Sequence, residues 1–494
     1  MSRTTDLLRL ALLAAMATAP LSAQSLAKRL DRRLDAPGLD RHLWGVAVTD
    51  LDGKLLYGRD AERMFIPASN TKLVVSAVAI ALLGPDFTVK TSVHGTGPVV
   101  DGVLRGDLVL YGRGDPTFSK RCYDVDETRA GACDADPAAK LRDLARQLRE
   151  RGVREVAGDL VGDGSYFDAE LVHPGWESYD LNWWYAAPVA GLGFNDNSVD
   201  LRIATGDSGS SAPLVTLSPD VGLASIDNRA AIGPRGTPRS FDILRSEDGT
   251  RYVARGTIPF GGAARTEYGA VKDPVRFAAL AFRKELAAAG IVVRGETVAT
   301  SDSLDFAHAR GTPAMAEVTS RPLKDWVFPV LNTSQNWFAD MLVKQLGRQV
   351  RGEGSWRAGL EVERRFLIDS VGIDSTQFAL SDGSGLAANN LVSPRAFTQL
   401  LAYMRRHRHY DAFAAGLPQS GSTGSLRRRF VGTPLEGRVR AKTGSISRVN
   451  TLSGYVERAD GTVLVFSVQA NHHTLGSARM LPAIDSVVAE LGRR

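Results

Sequence analysis

Strand-like segments cluster at the two ends of this chain, with no helical alternation between them, and that placement most narrows the folds available. Near the start, Trp44 to Leu51 alternates apolar with small or polar residues, Asp52-Gly53 supplies a turn, and Lys54 to Tyr57 returns. This is the pattern of a β-hairpin. Near the end, Arg438 to Lys442, Thr451 to Glu457 and Thr462 to Asn471 read as strands, the last two joined by Ala459-Asp460-Gly461. Ala478 to Leu491 then has the spacing of an amphipathic helix. These segments predict one antiparallel sheet assembled from both ends of the chain, an α+β fold. After the first hairpin, Ile66-Pro67-Ala68 leads into Ser69, and Leu73 to Leu83 is so uniformly apolar that its helix must be buried on most sides.

The middle has another texture. Val103 to Tyr111 contains a strand, Ala138 to Arg151 is helical with charged outer positions, and Asp273 to Ala289 is helical again. From Val199 to Gly262 short β segments (Leu201 to Ala204, Leu214 to Leu217, Tyr252 to Ile258) are separated by Gly, Pro, Ser and Asp. A chain of 494 residues exceeds a single core. The middle therefore reads as an insertion with a smaller β-rich domain nested in it. The expected limits are 26–90 and 311–494 for the terminal domain, 91–198 and 273–310 for the insertion, and 199–272 for the nested part.

Residues 1–25 resemble a cleavable export signal. Arg3 and Arg9 flank a short n-region, Leu10 to Ala19 is apolar but too short to span a bilayer, and Ala23-Gln24-Ser25 fits a cleavage site. A periplasmic location is the expectation. The formal charge of +5 falls to about +4 when that segment is removed. No dense Lys/Arg block interleaved with aromatics points to nucleic acid. The mild excess is compatible with peripheral association with an anionic wall polymer or membrane surface. Cys122 and Cys133 are the two cysteines, and in an exported chain they are expected to pair. Closing so short a loop stabilises by roughly 2.5–3 kcal/mol in the chain-entropy model. Two cysteines cannot complete a tetrahedral site and no His-Glu-x-x-His is present, so no metal is expected.

Three short motifs carry the chemistry. In Ser69-Asn70-Thr71-Lys72, a three-residue step at a helix start returns to the same face, so the Lys72 amine can reach the Ser69 hydroxyl. A lysine of ordinary pKa pays about 4.6 kcal/mol to be neutral at pH 7. Burial and a second cation lower that cost and make Lys72 a base for a Ser69 nucleophile. In Ser334-Gln335-Asn336, a hydroxyl and an amide two residues apart can face one cleft, Ser334 relaying a proton and Asn336 holding a carbonyl. In Lys442-Thr443-Gly444-Ser445, a strand offers a cation, a hydroxyl and a glycine that lets a ligand approach the backbone. Lys442 is the candidate second cation, and Lys442 with Thr443 can receive a carboxylate. The Ser69 and Ser445 N–H groups can form an oxyanion hole. Singly, each motif has a plainer explanation: an N-cap with a solvated lysine, a capping turn, a strand exit. Ser25-Leu26-Ala27-Lys28 repeats the first pattern with no such role.

In this order the three motifs resemble the set shared by penicillin-binding proteins and β-lactamases. Further segments narrow the likeness: Gly106-Asp107-Leu108, Gly114-Asp115-Pro116-Thr117, Ala187-Pro188 with Asn195-Asp196-Asn197, Asp382-Gly383-Ser384-Gly385-Leu386 and Leu452-Ser453-Gly454-Tyr455. From Trp44 to the C-terminus the chain resembles the class C low-molecular-mass penicillin-binding proteins, D-alanyl-D-alanine carboxypeptidases that often act as endopeptidases too. The resemblance implies a serine β-lactamase/transpeptidase-like catalytic domain with a large insertion forming two smaller domains, and no cofactor. It implies peptidoglycan stem peptides as substrate and β-lactams as covalent inhibitors. Ser69 and Ser334 lie 265 positions apart, and no Glu-x-x-Leu-Asn segment is present, which argues against the alternative of a β-lactamase. A non-catalytic penicillin-sensing or wall-binding protein is disfavoured by three intact motifs. The balance of carboxypeptidase and endopeptidase action is not legible. Relatives usually follow Asp-Gly-Ser-Gly-Leu with Ser-Arg, whose arginine sits at the rim of the site, where it can pair with a diaminopimelate carboxylate. Here those positions are Ala387 and Ala388. The resemblance implies that Asp163 receives the substrate's side-chain ammonium, and Arg448 is the candidate replacement for the lost arginine.

Overall fold

The computed structural model describes residues 21–119, 136–205 and 211–493. They divide into two compact units. The first comprises residues up to Ala77 with Arg365–Leu380 and Ala388–Arg494, and the second comprises Val78–Arg364 with Ser381–Ala387. Most of the export segment and the Cys122–Cys133 pair lie outside the described residues. No described helix is long and apolar enough to cross a membrane.

The first unit is built on the antiparallel sheet read from the sequence. Its elements are helix α1 (Leu21–Leu34), strands β1 (Leu43–Thr49) and β2 (Leu55–Arg59), the first half of helix α2 (Lys72–Leu83), and strands β3 (Val439–Ile446), β4 (Val449–Glu457) and β5 (Val463–Asn471). The strand order is β2-β1-β5-β4-β3. Leu43 of β1 lies opposite Asn471 of β5, so the two ends of the chain zip together in the middle of the sheet. One face carries Trp44, Val46, Val48, Leu452, Phe466 and Val468 against Leu26, Leu30 and Leu34 of α1 and Met480, Ile484 and Val487 of the C-terminal helix. The i, i+4, i+8 stripe of α1 is what lets it dock, each leucine contributing about 1.5–3 kcal/mol by burial. On the other face, Gly45 runs so close to Phe65 that a Cβ would lie 2.4 Å from its ring. Helix Pro394–Arg406 also packs on β1 and β5. Cover on both faces explains why six of the seven residues of β1 are buried.

The second unit holds a mixed five-stranded sheet, ordered 297–300, 160–163, 108–111, 90–95, 316–319, in which 160–163 runs parallel to both neighbours. Parallel strands need crossovers, and helices Ala139–Glu150 and Pro274–Ala288 lie in them. Asp273 caps the second helix, its side chain accepting from Arg276 N, with Pro274 opening it. Residues 198–270 form short strands in two three-stranded sheets and a two-stranded one, the β-rich texture expected there. Helices α3 (Asn336–Arg351) and α4 (Trp356–Arg365) complete the part that bears on function.

Candidate active site

In the first unit, the chain turns sharply before the nucleophile candidate. Ala68 has φ of 47°, a left-handed conformation costly for a residue with a Cβ. Residues Ala68–Thr71 make one 3-10 turn that feeds directly into α2 at Lys72. The turn is pinned from several sides. Thr451 Oγ1 donates to Pro67 O at 2.9 Å, Asn70 Nδ2 donates to Ser453 Oγ at 2.6 Å, and Thr71 Oγ1 donates to Ala68 O at 2.9 Å. Strain held by this many bonds over-determines the position of Ser69, which stays half-buried while its neighbours are covered. Lys72 is fully buried, and its Nζ donates to Ser69 Oγ at 2.9 Å. The three-residue step thus brings amine and hydroxyl into contact.

Strand β3 brings the third motif to the same turn. A Cβ on Gly444 would lie 2.2 Å from Thr451 Oγ1, 2.6 Å from Pro67 O and 3.0 Å from Ser69 N. Only glycine lets the strand pass this close. Lys442 has no exposed surface, and its Nζ donates to Thr443 O at 2.8 Å. Burial, and then repulsion from the Lys72 ammonium, push Lys442 well below the ordinary lysine range. Thr443 Oγ1 donates to Ser425 Oγ at 2.8 Å, and Asn450 Nδ2 donates to Ser445 Oγ at 2.9 Å. Strand β3 is an edge strand. Residues 418–420 cover its outer edge as far as Ala441, whose N–H donates to Pro418 O at 3.0 Å. Because N–H groups alternate along a strand, those of Thr443 and Ser445 point to the same outer edge, beyond that cover. Arg448 stands in the two-residue turn between β3 and β4 with φ of 61°. Its side chain is exposed, and no described residue pairs with it.

The second motif belongs to the second unit, in the loop between helix Leu323–Asn332 and α3. Ser334 has φ of 67°. Asn336 opens α3, and its Nδ2 donates to Tyr185 O at 2.8 Å. Gln335, the middle residue, was given no role by the sequence, yet it anchors the loop. Its Oε1 accepts from Trp337 N at 2.7 Å, and its Nε2 donates to Asp196 Oδ2 at 2.7 Å. Asp196 lies in Asn195-Asp196-Asn197, three buried residues all with positive φ. Asn197 Nδ2 and Trp337 Nε1 both donate to Pro188 O, at 2.7 and 2.9 Å. The Ala187-Pro188 and Asn-Asp-Asn segments therefore act as the bracket for the second motif. Their unusual Asx content was the available signal.

Asp163, expected to receive the substrate's side-chain ammonium, lies in strand 160–163 of the second unit. It has no exposed surface, and Arg310 Nη1 forms an ion pair with its Oδ2. Its Oδ1 accepts from Ser165 N at 2.9 Å. Arg310 also lies 5.2 Å over the Tyr111 ring. A substrate ammonium at Asp163 would share this carboxylate with Arg310. Nothing local in the sequence links it to a partner 147 residues further on. Among the described residues, no group of three or more His, Cys, Asp or Glu is arranged to hold a metal.

Comparison with known proteins settles the class. A model of the D-Ala-D-Ala carboxypeptidase 3 (S13) family matches residues 26–491. The chain belongs to this family. It is 32% identical over 462 residues to a D-alanyl-D-alanine carboxypeptidase of Actinomadura sp. (strain R39), covering 91% of this chain and 81% of that protein. It is 24% identical to a second D-alanyl-D-alanine carboxypeptidase, from Haemophilus influenzae, over 83% of this chain and 82% of that protein. The crystal structure of penicillin-binding protein 4 from Haemophilus influenzae has a TM-score of 0.80 at 21% identity, covering 96% of this chain and 100% of that one. A complex of the same Haemophilus protein with a β-lactam has a TM-score of 0.74 at 20% identity, with the same coverage. The family and the fold are thus those of a low-molecular-mass penicillin-binding protein, α+β with a transpeptidase-like catalytic domain. The chain is an enzyme of the D-alanyl-D-alanine carboxypeptidase class.

Proposed function

We propose that the enzyme is a serine-type peptidase that works through an acyl-enzyme on Ser69. The observation that carries this reading is the Lys72 Nζ to Ser69 Oγ contact of 2.9 Å beside a Lys442 held well below the ordinary lysine range. Two buried ammonium groups so close repel, so the pair shares one proton, and when Lys442 holds it Lys72 is the neutral amine that a general base requires. Ser69 Oγ attacks the carbonyl carbon between two D-alanines while Lys72 takes its proton. The resulting oxyanion sits between the Ser69 and Ser445 N–H groups, which are fixed before the reaction and so cost no reorganisation. Collapse breaks the C–N bond, and the proton passes to the departing D-alanine amine with help from Ser334 and Lys442. Water then attacks the ester, regenerating Ser69. Asn336 holds the substrate backbone, Thr443 receives the terminal carboxylate, and Gly444 lets β3 pass close enough to the Ser69 turn for both to meet one peptide.

In this proposal the substrates are peptidoglycan stem peptides, with cross-links cut by the same chemistry when a second peptide occupies the leaving-group side. A β-lactam places its strained amide where the D-Ala-D-Ala bond lies and leaves a slowly hydrolysed ester on Ser69; the β-lactam complex of the Haemophilus relative supports this. Residues 1–25 are proposed to export the enzyme to the periplasm. The test is purified enzyme on a pentapeptide ending in D-Ala-D-Ala and on a cross-linked dimer of such peptides. D-Alanine release from the first and dimer cleavage on the second, both abolished in Ser69→Ala, are expected. Release by Ser69→Ala at the wild-type rate would overturn the assignment. Intact dimers beside active pentapeptide hydrolysis would remove the endopeptidase part.

A further inference from the structure

Behind the second motif, the second unit buries three carboxylic acids completely: Asp340, Glu363 and Asp382. Their hydrogen-bond supply differs sharply. Asp382 accepts from Trp176 Nε1 at 2.9 Å, Gly385 N at 2.7 Å, Ala387 N at 2.8 Å and Ser384 Oγ at 3.2 Å. Four donors suit an anion. Asp340 accepts on Oδ1 alone, from Trp356 Nε1 at 3.0 Å and Gly383 N at 2.9 Å. Among the described residues its Oδ2 has no hydrogen-bond partner, though the Ser384 hydroxyl lies near enough to favour the anion, and neither oxygen of Glu363 has a partner. Burial without donors disfavours charge. Burial, then the charges of Asp340 and Asp382, raise Glu363 well above the usual range. Burial, and then Asp382, push Asp340 up to about 7.

The surroundings offer little compensation. Lys344, one turn along α3, is a buried cation facing the cluster, but its Nζ donates to Asp168 Oδ1 at 2.7 Å and lies 4.0 Å over the Trp356 ring. His173, beside Trp176 and Trp356, is held below the ordinary histidine range by burial. Asp340 meanwhile occupies a mechanical junction. It lies one turn after Asn336 on α3, and its Oδ1 binds both α4, through Trp356, and the 382–387 loop, through Gly383. That loop runs against α3 so tightly that a Cβ on Gly383 would lie 2.7 Å from Ala339 O.

We propose that Asp340 is a positioning residue: one carboxyl oxygen latches the second-motif helix to α4 and the 382–387 loop, and a charge on the other oxygen, beside Asp382 and Glu363, releases the latch. The proposal rests on the reading that Asn336 binds substrate. At low pH the carboxyl is neutral and the junction holds. When a base in solution removes the proton, the new anion is buried beside two further acids, with the Ser384 hydroxyl the one nearby group to offset the repulsion on that side. The loop then yields, and substrate binding by Asn336 loosens with it.

The test measures kcat and KM for D-Ala-D-Ala peptide hydrolysis from pH 6 to 9 in wild type, Asp340→Asn and Asp340→Ala, with hydrogen–deuterium exchange of the 382–387 peptide at both extremes. Asn keeps an acceptor for Trp356 and Gly383 but cannot ionise. At pH 6 it should stay within about threefold of wild type, while Ala loses about tenfold or more in kcat/KM, mainly through KM. The ratio of Asn to wild type should rise from pH 6 to 9, and wild-type protection in 382–387, with exchange corrected for the intrinsic base-catalysed rate at each pH, should fall over the same range while that of Asn stays flat. Exchange in Ala no faster than wild type at pH 6, or a flat ratio with wild-type protection unchanged across the range, would overturn the proposal. If exchange behaves as stated but KM does not move, the latch stands and the substrate role of Asn336 fails.

Discussion

Replacing Gly444 by alanine probes how tightly the third motif and the nucleophile turn are fitted. The new Cβ would lie 2.6 Å from Pro67 O and 3.0 Å from Ser69 N, both backbone atoms, where relaxed non-bonded contacts need about 3.5 Å. The carbonyl of Pro67 must therefore retreat by almost 1 Å. It cannot do so alone, because it accepts from Asn70 N at 3.1 Å and from Thr451 Oγ1 at 2.9 Å. Displacing it moves the turn that aims Ser69. Overpacking of this kind costs about 1–3 kcal/mol, and a shift near 1 Å at reacting atoms costs about 100-fold in rate. We expect kcat/KM for D-alanine release from a D-Ala-D-Ala peptide to fall by about 100-fold. Thr451→Ala, which removes the hydroxyl 2.2 Å from the new Cβ, should not restore it, because the clash with Pro67 O remains. The assay is steady-state release of D-alanine, with thermal melts to confirm folding. A folded Gly444→Ala enzyme within about threefold of wild type would refute the argument that backbone proximity sets the geometry of Ser69.

Other predictions address single contacts. Arg310→Met should strand the buried Asp163 charge and destabilise by about 3–5 kcal/mol, and adding Asp163→Asn should recover most of it in thermal melts. Asp340 holds its proton to about pH 7, above the unfolded carboxylate range. The stability this proton confers is full below that range and lost as pH rises through 7, so Asp340→Asn should gain on wild type in Tm between pH 6 and 8.5, and a constant difference would contradict the sign. Arg448→Ala should lower kcat/KM roughly 10- to 150-fold on a diaminopimelate peptide and leave its lysine analogue unchanged, if the exposed guanidinium reads that carboxylate. Equal losses on both substrates would show that it does not.

The parts of the fold that the sequence revealed are those governed by local pattern. Alternation fixed β1, β2, β4 and β5, and the apolar run after Ser69 marked a helix buried on most sides, because both signals arise from residues adjacent in the chain. The three motifs were legible for the same reason. What stayed hidden depends on partners far along the chain. The parallel pairing of 108–111 with 160–163 has no signature in either strand. The ion pair of Asp163 with Arg310 could not be seen from either residue, and Gln335 looked like a spacer because Asp196 was distant. The three buried acids are ordinary helix and turn residues in sequence, and only packing shows that Glu363 finds no donor among the described residues and that Asp340 is bonded on Oδ1 alone. The close pass of Gly444 against Ser69 N was foreshadowed by residue type alone, glycine being the one side chain that permits it.

The central claim is that Ser69 forms a covalent ester, and intact-mass spectrometry after brief exposure to benzylpenicillin tests it most directly. The account predicts one adduct per wild-type chain, carried by the peptide containing Ser69. It predicts none on Ser69→Ala, and greatly slowed formation in Lys72→Ala, whose hydroxyl has lost the amine 2.9 Å away. An adduct of equal yield on Ser69→Ala, or one mapping to Ser334, would contradict it.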